Sequence, residues 1–314
     1  EADIRHSFIQ SLPFAKSQYK KMLGLLPLAI EQFDLRGYDL IFSSSSAFAK
    51  GVITNPDQIH VCYCHTPLRY VWDLYHQYIK EIRNPIYKIV LPRILHKIRI
   101  WDQVSSRRVD YFIANAHNVA KRIAKYYGRE STVIHPPVQL NQFSLSRTVD
   151  DYFLIVSRLI PYKRIDIVIE AFNQLRWPLV IIGDGYDRKR LESLAGPTIT
   201  FLGYQPDDVI AEYYSKCKAF IMAGEEDFGI TPLEAQASGR PVIAFRKGGA
   251  LETVKEFETG LFFNEQSSGS LLETLKTFDP GAFDAQKIRN HASQFGADRF
   301  KDRIMAFIQS LITK

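Results

Sequence analysis

The chain has 314 residues, a formal net charge of +6 at pH 7 and 46% hydrophobic residues. This apolar share excludes a mostly disordered chain, and the length suits two domains of about 150 residues each. No apolar run reaches the roughly 18–20 residues of a membrane-spanning helix, and the opening EADIRHSFIQ lacks a signal-peptide pattern. The three cysteines form no CxxC pair, which argues against a disulfide framework or zinc site and indicates a reducing, cytoplasmic location.

The excess positive charge is concentrated in residues 80–108, KEIRNPIYKIVLPRILHKIRIWDQVSSRR. This basic segment holds eight Lys and Arg residues against Glu81 and Asp102, so it carries the whole net charge of the chain. Apolar residues recur at helical spacing from Ile82 to Trp101. We favour a long helix whose apolar stripe packs on its domain, with contact to an anionic membrane or lipid phosphate as the alternative. Nucleic acid is disfavoured, because no groove-reading motif accompanies the charge.

In chain order, the first half contains strand-to-loop units separated by helical stretches. They read YDLIFSSSS, IHVCYCH, YFIANA and STVIHPP. The half begins in mid-pattern, with no leading strand followed by a Gly-rich phosphate loop. The Pro-rich, polar segment 134–144 is typical of a linker. We therefore predict an N-terminal, acceptor-side Rossmann-like domain at 1–138 whose first strand and Gly-rich loop are missing from these residues.

From residue 150 onward, short apolar runs alternate regularly with helical patterns. The runs are YFLIVS (152–157), PLVIIG (178–183), ITFLG (199–203), AFIMAG (219–224) and PVIAF (241–245). Apolar strands separated by helices of 10–15 residues indicate a parallel sheet covered on both faces. We predict a doubly wound α/β donor-binding domain at 139–314, with ligands beyond the carboxyl ends of its strands. An apolar face predicts a last helix at about 297–312, which we expect to pack back on the N-terminal domain.

The stretch EEDFGITPLEA, residues 225–235, places two carboxylates around a strand-to-helix turn. A helix is predicted to begin near Ile230, with proline in its first turn. Its free N–H groups attract anions, notably phosphate, and Gly229 lets a ligand approach the backbone. Glu226 and Glu234 are unfavourable beside phosphate unless they accept hydrogen bonds from hydroxyl groups, which a sugar nucleotide carries on its sugar and its ribose. The alternative is a capping acid and a solvated helix acid.

Polar side chains follow other predicted strands. Arg158 and Lys163 (SRLIPYKRID) can neutralise a diphosphate and stabilise it as it leaves; the alternative is two exposed loop cations. His65 (CYCHTP) can hydrogen-bond a sugar hydroxyl as a neutral imidazole, although a histidine at a strand end is more often structural. Asn115 (IANAHN) has the same placement. These residues would face one cleft between two open α/β domains, which suits a donor held by one domain and an acceptor held by the other.

Together, the motifs HTP, SRLIPYKR, GDG, FLG and EEDFGITPLEAQASGRPVIA resemble those of the retaining nucleotide-sugar glycosyltransferases of family 4. The likeness covers essentially the whole chain and is strongest from 150 to 265. The stretch CYCHTPLRYVWD is similar to bacterial mannosyl- and glucosyltransferases of polysaccharide assembly. The resemblance implies the GT-B fold, in which two Rossmann-like domains face a cleft. It also implies transfer of a hexose from a UDP- or GDP-sugar to a saccharide or lipid-linked saccharide, with retention of configuration.

The resemblance further implies roles for single residues. Arg158 and Lys163 would hold the donor diphosphate, Glu226 the transferred sugar and Glu234 the ribose hydroxyls. His65 would match the first-domain histidine beside the donor sugar, and it completes the expected catalytic set with Arg158, Lys163 and Glu226. The other implied donor contacts are the loop near the base (Gly203, Tyr204, Gln205), the backbone at the sugar (Phe228, Gly229, Ile230) and Thr231 near the phosphates.

We expect no metal and no cofactor, because Arg158, Lys163 and a helix N-terminus supply the positive charge that Mg²⁺ gives elsewhere. Asp184 and Asp187 in GDGYD are interpreted as part of a strand-exit turn rather than a metal pair. The expected partners are the donor, the acceptor and, through residues 80–108, the inner face of an anionic membrane. Three other functions stay open: a sugar-nucleotide 2-epimerase of the same architecture, a phosphorylase-like enzyme that needs pyridoxal phosphate, and a non-catalytic sugar-nucleotide-binding protein.

Overall fold

The computed structural model of this chain describes residues 3–13, 19–82 and 84–312. The chain divides into two units, residues 1–133 and 134–314. The boundary predicted after residue 138 lies inside the second unit. The domains 1–138 and 139–314 therefore remain a prediction from the sequence. No helix in the described ranges is long and apolar enough to cross a membrane.

Within the described residues, the first unit contains a parallel sheet of four strands in the order β1-β2-β3-β4. The strands are β1 Leu40–Ser45, β2 Ile59–Cys64, β3 Tyr111–Ala114 and β4 Ser131–Val133. Its helices include Leu26–Glu31, Tyr75–Glu81, Pro85–Ser105 and His117–Tyr127, with 3₁₀ helices at Phe8–Ser11, Tyr19–Leu25, Ala49–Gly51, Arg69–Val71 and Ser106–Arg108. The inner strand β2 is buried almost throughout, which explains why its sequence is so apolar.

The basic segment contains the end of one helix and the whole of a second, Pro85–Ser105, which we call the basic helix. Its start is fixed by Asn84, whose side chain accepts hydrogen bonds from the backbone N–H groups of the first turn. Its second half packs into a core cluster through buried Leu95 and Ile98. Its first turns instead expose Ile86 by 70% and Ile89 by 62%. The prediction that the whole apolar stripe packs on its domain is therefore wrong for these turns, since they extend beyond that cluster.

A buried ion pair joins the basic helix to the loop after β1. Lys50 Nζ lies 2.6 Å from Asp102 Oδ1, and both side chains are almost wholly inaccessible to solvent. The indole Nε1–H of Trp72 and the hydroxyl of Tyr127 donate hydrogen bonds to Asp102 Oδ2, at 2.8 and 3.0 Å. The carboxylate is thus both paired and hydrogen-bonded, which is the condition for burying it.

The second unit contains, within the described residues, a parallel sheet of six strands in the order β10-β9-β8-β5-β6-β7. The strands are β5 Phe153–Val156, β6 Leu179–Ile182, β7 Ile199–Gly203, β8 Phe220–Met222, β9 Val242–Phe245 and β10 Gly260–Phe263. Its helices include Ile165–Leu175, Arg188–Leu194, Asp207–Lys216, Ile230–Ala237, Ala250–Thr253, Ser268–Thr277, Ala285–Ser293 and Ala297–Ile312, with 3₁₀ helices at Leu140–Gln142, Pro161–Lys163 and Pro280–Ala282.

The strand order of the second sheet reverses at β5. The chain runs outward from β5 through β6 to β7, and then crosses to β8 on the other side of β5. At such a switch point the loops leave neighbouring strands in opposite directions, and a crevice opens at the carboxyl ends. The predicted doubly wound sheet is confirmed, and its crevice lies between the ends of β5 and β8.

The C-terminal helix Ala297–Ile312 has the bounds that its apolar spacing predicted. Its half-buried side chains include Phe300, Ile304, Ile308 and Leu311 on one face. The expected packing of this helix on the first unit stays a prediction.

Candidate active site

A pocket opens at the switch point of the second sheet. The ends of β5 and β8 form part of its wall, and its polar lining includes Ser157, Lys163, Glu226 and Thr231. Charged side chains thus lie at the carboxyl edge of otherwise apolar strands, where open α/β sheets bind their ligands. Of the four residues predicted to be catalytic, Lys163 and Glu226 line this pocket.

The predicted strand-to-helix turn forms one side of the pocket. We call residues 224–229 the site turn and the helix Ile230–Ala237 the site helix. Gly224 lies against the loop after β5, since a Cβ at Gly224 would be 3.0 Å from Lys163 Cα. Gly229 has a φ of +88°, a left-handed value that favours glycine, and it begins the site helix without a side-chain capping hydrogen bond. The first N–H groups of the site helix are therefore available to a ligand.

Lys163 and Glu226 form an ion pair inside the pocket. Lys163 Nζ donates to Glu226 Oε1, and both side chains are mostly buried. Charge-assisted hydrogen bonds of this kind are stronger than neutral ones. The sequence predicted both residues for the site but assigned them to different parts of the donor. In the structure, each of the two side chains is the ionic partner of the other.

Glu234 lies further along the site helix and is held by a buried tyrosine. The hydroxyl of Tyr214 donates a hydrogen bond of 3.0 Å to Glu234 Oε2. Burial raises the pKa of Glu234, and the Tyr214 hydrogen bond partly offsets that rise. Burial also raises the pKa of Tyr214, so its hydroxyl stays protonated and acts as the donor. The alternative of a fully solvated helix acid does not describe Glu234, which is half-buried.

The loop after β9 encloses the site turn; we call residues 246–249 the clasp loop. The N–H of Gly249 donates to the carbonyl oxygen of Glu226 at 2.9 Å. A Cβ at Gly249 would be 2.1 Å from the carbonyl oxygen of Phe228, and a Cβ at Gly248 would be 2.4 Å from that of Glu226. Lys247 also forms an ion pair with Glu225, at 3.1 Å. The two glycines thus allow a close backbone contact that fixes the shape of the site turn.

A histidine supports the other side of the site turn. The ring of His135 stacks on that of buried Phe228, with centroids 5.2 Å apart and planes 21° apart. His135 Nε2 lies 2.9 Å from Glu252 Oε2, at hydrogen-bond distance. Since the backbone of Phe228 is predicted to contact the sugar, His135 and Glu252 are in a position to orient that backbone.

These supporting residues were missed by sequence reasoning. The adjacent glycines in PVIAFRKGG follow a strand directly, and a glycine pair there is a local sign of close backbone approach. The sequence around Tyr214 and His135 gives no comparable sign. Their partners are distant in the chain: Glu234 lies 20 positions from Tyr214, and Glu252 lies 117 positions from His135.

Arg158 and the predicted base loop lie at the same carboxyl edge of the second sheet. Arg158 is exposed in the loop after β5. Gly203 ends β7 with a φ of +71°, and Tyr204 after it is 81% exposed. The side-chain amide of Gln205 donates to the carbonyl oxygen of Leu202 at 2.8 Å, so it stabilises its own loop.

His65 and Asn115 lie in the first unit, at the carboxyl ends of the neighbouring strands β2 and β3. His65 Nε2 is 2.9 Å from Ser44 Oγ. Burial lowers the pKa of His65, which favours the neutral imidazole that its predicted role requires. Asn115 is buried, and its Oδ1 has no hydrogen-bond partner among the residues that the structure describes.

Asp184 and Asp187 have different partners. Asp184 Oδ1 accepts a hydrogen bond of 2.7 Å from the N–H of Gly185. Asp187 accepts two hydrogen bonds of 2.7 Å from the guanidinium of Arg190. Both contacts fit the interpretation of this segment as a strand-exit turn.

Comparison with known families identifies the class of protein. Residues 139–293 match the sequence model of the family described as "Glycosyl transferases group 1", and residues 1–142 match that of "Glycosyltransferase Family 4". The chain therefore belongs to the glycosyltransferases, with a domain of each of these two families.

Two curated relatives illustrate the likeness. A GDP-mannose-dependent alpha-mannosyltransferase of Mycobacterium tuberculosis is 42% identical over 109 residues, which are 34% of this chain and 28% of the relative. A D-inositol 3-phosphate glycosyltransferase of Acidothermus cellulolyticus is 26% identical over 242 residues, 65% of this chain and 54% of the relative. The chain spans between 28% and 36% of the length of the first curated relatives that it matches.

Solved structures share the fold at low sequence identity. A sucrose-phosphate synthase from Thermosynechococcus elongatus has a TM-score of 0.78 and 19% identity, over 100% of this chain and 86% of that one. Anabaena HepE in complex with UDP and glucose has a TM-score of 0.64 and 21% identity, over 80% and 77% of the two chains. The predicted GT-B fold of two Rossmann-like domains is confirmed.

Proposed function

We propose that this chain is a retaining hexosyltransferase that moves a hexose from a nucleoside-diphosphate sugar to a hydroxyl group of a saccharide or lipid-linked saccharide. One observation carries the proposal: the Lys163–Glu226 pair lies beside the uncapped start of the site helix, at the switch point of the sheet. The GDP-mannose-dependent relative and the neighbour solved with UDP and glucose support a donor of this class.

In the proposed complex, each end of the donor meets groups of matching chemistry. The diphosphate binds the N–H groups at the start of the site helix, with Lys163 and Arg158 as its cations. Glu226 gives up its ion pair with Lys163 and accepts hydrogen bonds from hydroxyl groups of the hexose. Glu234 keeps Tyr214 on Oε2 and has its other oxygen for the ribose. A sugar nucleotide therefore satisfies the two acids and the basic groups at once.

The proposed reaction proceeds by front-face attack. The bond from the anomeric carbon to the β-phosphate oxygen breaks, and the acceptor oxygen bonds to the same face of the sugar. The departing phosphate oxygen takes the acceptor proton, and Lys163, Arg158 and the helix N–H groups stabilise the charge on the leaving diphosphate. A covalent route would need a carboxylate close to the anomeric carbon, whereas the role proposed for Glu226 is to bind hydroxyl groups. The proposal includes no metal and no cofactor, since these groups supply the positive charge.

A pair of adjacent substitutions tests this proposal. Glu226→Gln removes the charge that binds the hexose hydroxyls, and we expect transfer to fall by about 10- to 150-fold, as for the loss of a charged hydrogen bond. Glu225→Gln is the matched control, because Glu225 is paired with Lys247; it should retain most of the activity. Transfer of labelled hexose from UDP- and GDP-sugars to saccharide acceptors is the assay. Full activity in Glu226→Gln would refute the proposed role, and a trapped glycosyl-enzyme would refute front-face attack.

The same reactions separate the alternatives. A donor epimerised at C2 in the absence of acceptor would indicate the 2-epimerase. Tight donor binding without hydrolysis or transfer to any acceptor would indicate a non-catalytic sugar-nucleotide-binding protein. We expect neither, and we expect the glycosidic product to keep the anomeric configuration of the donor by NMR.

We also propose that the basic helix contacts an anionic lipid surface, where a lipid-linked acceptor would lie. Exposed Lys88 lies between exposed Ile86 and Ile89, and exposed Arg93 follows one helical turn after Ile89. Apolar and basic side chains exposed together are typical of interfacial helices.

Vesicle sedimentation tests this contact. The protein should bind vesicles that contain phosphatidylserine and not vesicles of phosphatidylcholine alone. The double substitution Ile86→Ser with Ile89→Ser should abolish that binding. Leu194→Ser removes an exposed apolar side chain elsewhere and should leave it intact. Unchanged binding in the double variant would refute the contact.

A further inference from the structure

An arginine lies over the end of β7. The N–H of Gly183 donates to the carbonyl oxygen of Gly203 at 2.7 Å, so the loops after β6 and β7 run side by side. Arg188 begins the helix after the first of these loops. Its Nη1 and Nη2 atoms would be 2.9 and 3.8 Å from a Cβ at Gly203. The guanidinium therefore covers the backbone of the loop that is predicted to meet the donor base.

The orientation of this guanidinium is fixed from one side. Arg188 Nε donates to Glu192 Oε1 at 2.7 Å. Among the described residues, its two terminal nitrogens make no hydrogen bond, although Nη1 forms a longer ion pair with Asp184 Oδ2, at 3.8 Å. Arg188 thus has N–H groups available for a ligand while its side chain is held in place.

Two aromatic side chains accompany Arg188. Tyr186 and Tyr204 follow β6 and β7 and are 70% and 81% exposed. Aromatic faces stack on nucleotide bases of any sequence. The helix after Tyr204, Asp207–Lys216, carries Tyr214, which binds Glu234. One helix therefore connects the base loop with the acid proposed for the ribose.

We infer that Arg188 and Tyr204 form a base subsite that selects guanine, so that the donor is a GDP-sugar. The inference rests on the proposed function, because it names the base of the same donor. Guanine presents O6 and N7 as adjacent acceptors, which take two parallel N–H bonds from one guanidinium. Adenine places an amino donor beside N7, and the carbonyl groups of uracil flank an N–H. Neither base can accept the same pair of bonds.

Binding of free nucleotides tests the inference. Dissociation constants for GDP, UDP and ADP are measured by calorimetry at one salt concentration, and GDP should bind more tightly than either by about 5- to 150-fold. Arg188→Lys keeps the charge and loses the planar fork, so it should remove that preference. Arg190→Lys is the matched control on the same helix, since Arg190 is paired with Asp187; the preference should persist there.

A second variant does not depend on Arg188. Tyr204→Ala removes an exposed ring, and all three nucleotides should bind about 5- to 150-fold more weakly, because stacking does not discriminate between bases. If the wild-type protein binds UDP as tightly as GDP, or if Arg188→Lys keeps the preference for GDP, the inference is wrong while the proposed function stands. If none of the three nucleotides binds, the proposed function fails as well.

Discussion

The clearest prediction concerns Glu234, where stability and donor binding should change in opposite directions. Glu234→Gln keeps an oxygen for the Tyr214 hydrogen bond and removes the charge. Burial raises the pKa of Glu234 in the folded state, so folding takes up a proton and the wild-type protein loses stability as pH rises through that pKa. A glutamine at this position does not titrate, so it adds no such dependence of stability on pH. The variant should therefore be more stable than wild type at pH 8, and the difference should shrink towards pH 4.

The magnitudes follow from the contacts. We expect a gain of about 0.5–2 kcal/mol in unfolding free energy at pH 8, the usual size of the effect of a single stabilising substitution. Donor affinity should fall by about 10- to 150-fold, because a hydrogen bond from a ribose hydroxyl to a charged acceptor contributes about 1.5–3 kcal/mol.

Thermal unfolding from pH 4 to pH 8 and donor calorimetry measure the two effects. Glu258→Gln is the control, since Glu258 is an exposed acid; it should alter neither. A stability difference that does not change with pH would refute the reasoning about burial. Unchanged donor affinity would refute contact with the ribose.

Three further substitutions test the supporting structure. His135→Ala removes the ring stacked on Phe228. It should weaken donor binding, measured by calorimetry, and it should lower the unfolding free energy by about 0.5–1.5 kcal/mol. His135→Phe should restore part of that stability. Gly249→Ala places a methyl group 2.1 Å from the Phe228 carbonyl oxygen and should abolish donor binding while circular dichroism shows that the helices persist. Lys50→Met leaves Asp102 buried and unpaired and should lower the unfolding free energy by about 3–5 kcal/mol; a protein of wild-type stability would contradict this account.

The parts of the fold that the sequence predicted are those with a local pattern. Uniform apolar runs identified β5 to β9, and the proline and glycine around Ile230 placed the start of the site helix. The spacing of apolar residues gave the bounds of the C-terminal helix. These patterns repeat over a few residues, so they can be recognised before any tertiary contact is known.

The rest depended on contacts between distant parts of the chain. The partnership of Lys163 with Glu226 joins residues that are 63 positions apart, and the support of Phe228 by His135 also joins residues that are distant in the chain. The basic helix shows a second limit of the sequence pattern. An apolar stripe predicts a buried face, but it cannot show that Ile86 lies beyond the packed cluster. Which side chains meet is decided by packing, and periodicity does not contain that information.

The Lys163–Glu226 ion pair has a consequence for selectivity under the proposed function. Because Lys163 is already paired with Glu226, the pocket offers little net attraction to inorganic phosphate or pyrophosphate: such an anion would compete with the carboxylate and leave it without a partner. A complete sugar nucleotide gives both side chains new partners at once: its diphosphate binds Lys163, and its hexose hydroxyl groups bind Glu226. The pocket would thus favour a molecule that carries phosphate and polyol together over the abundant small anions of a cell.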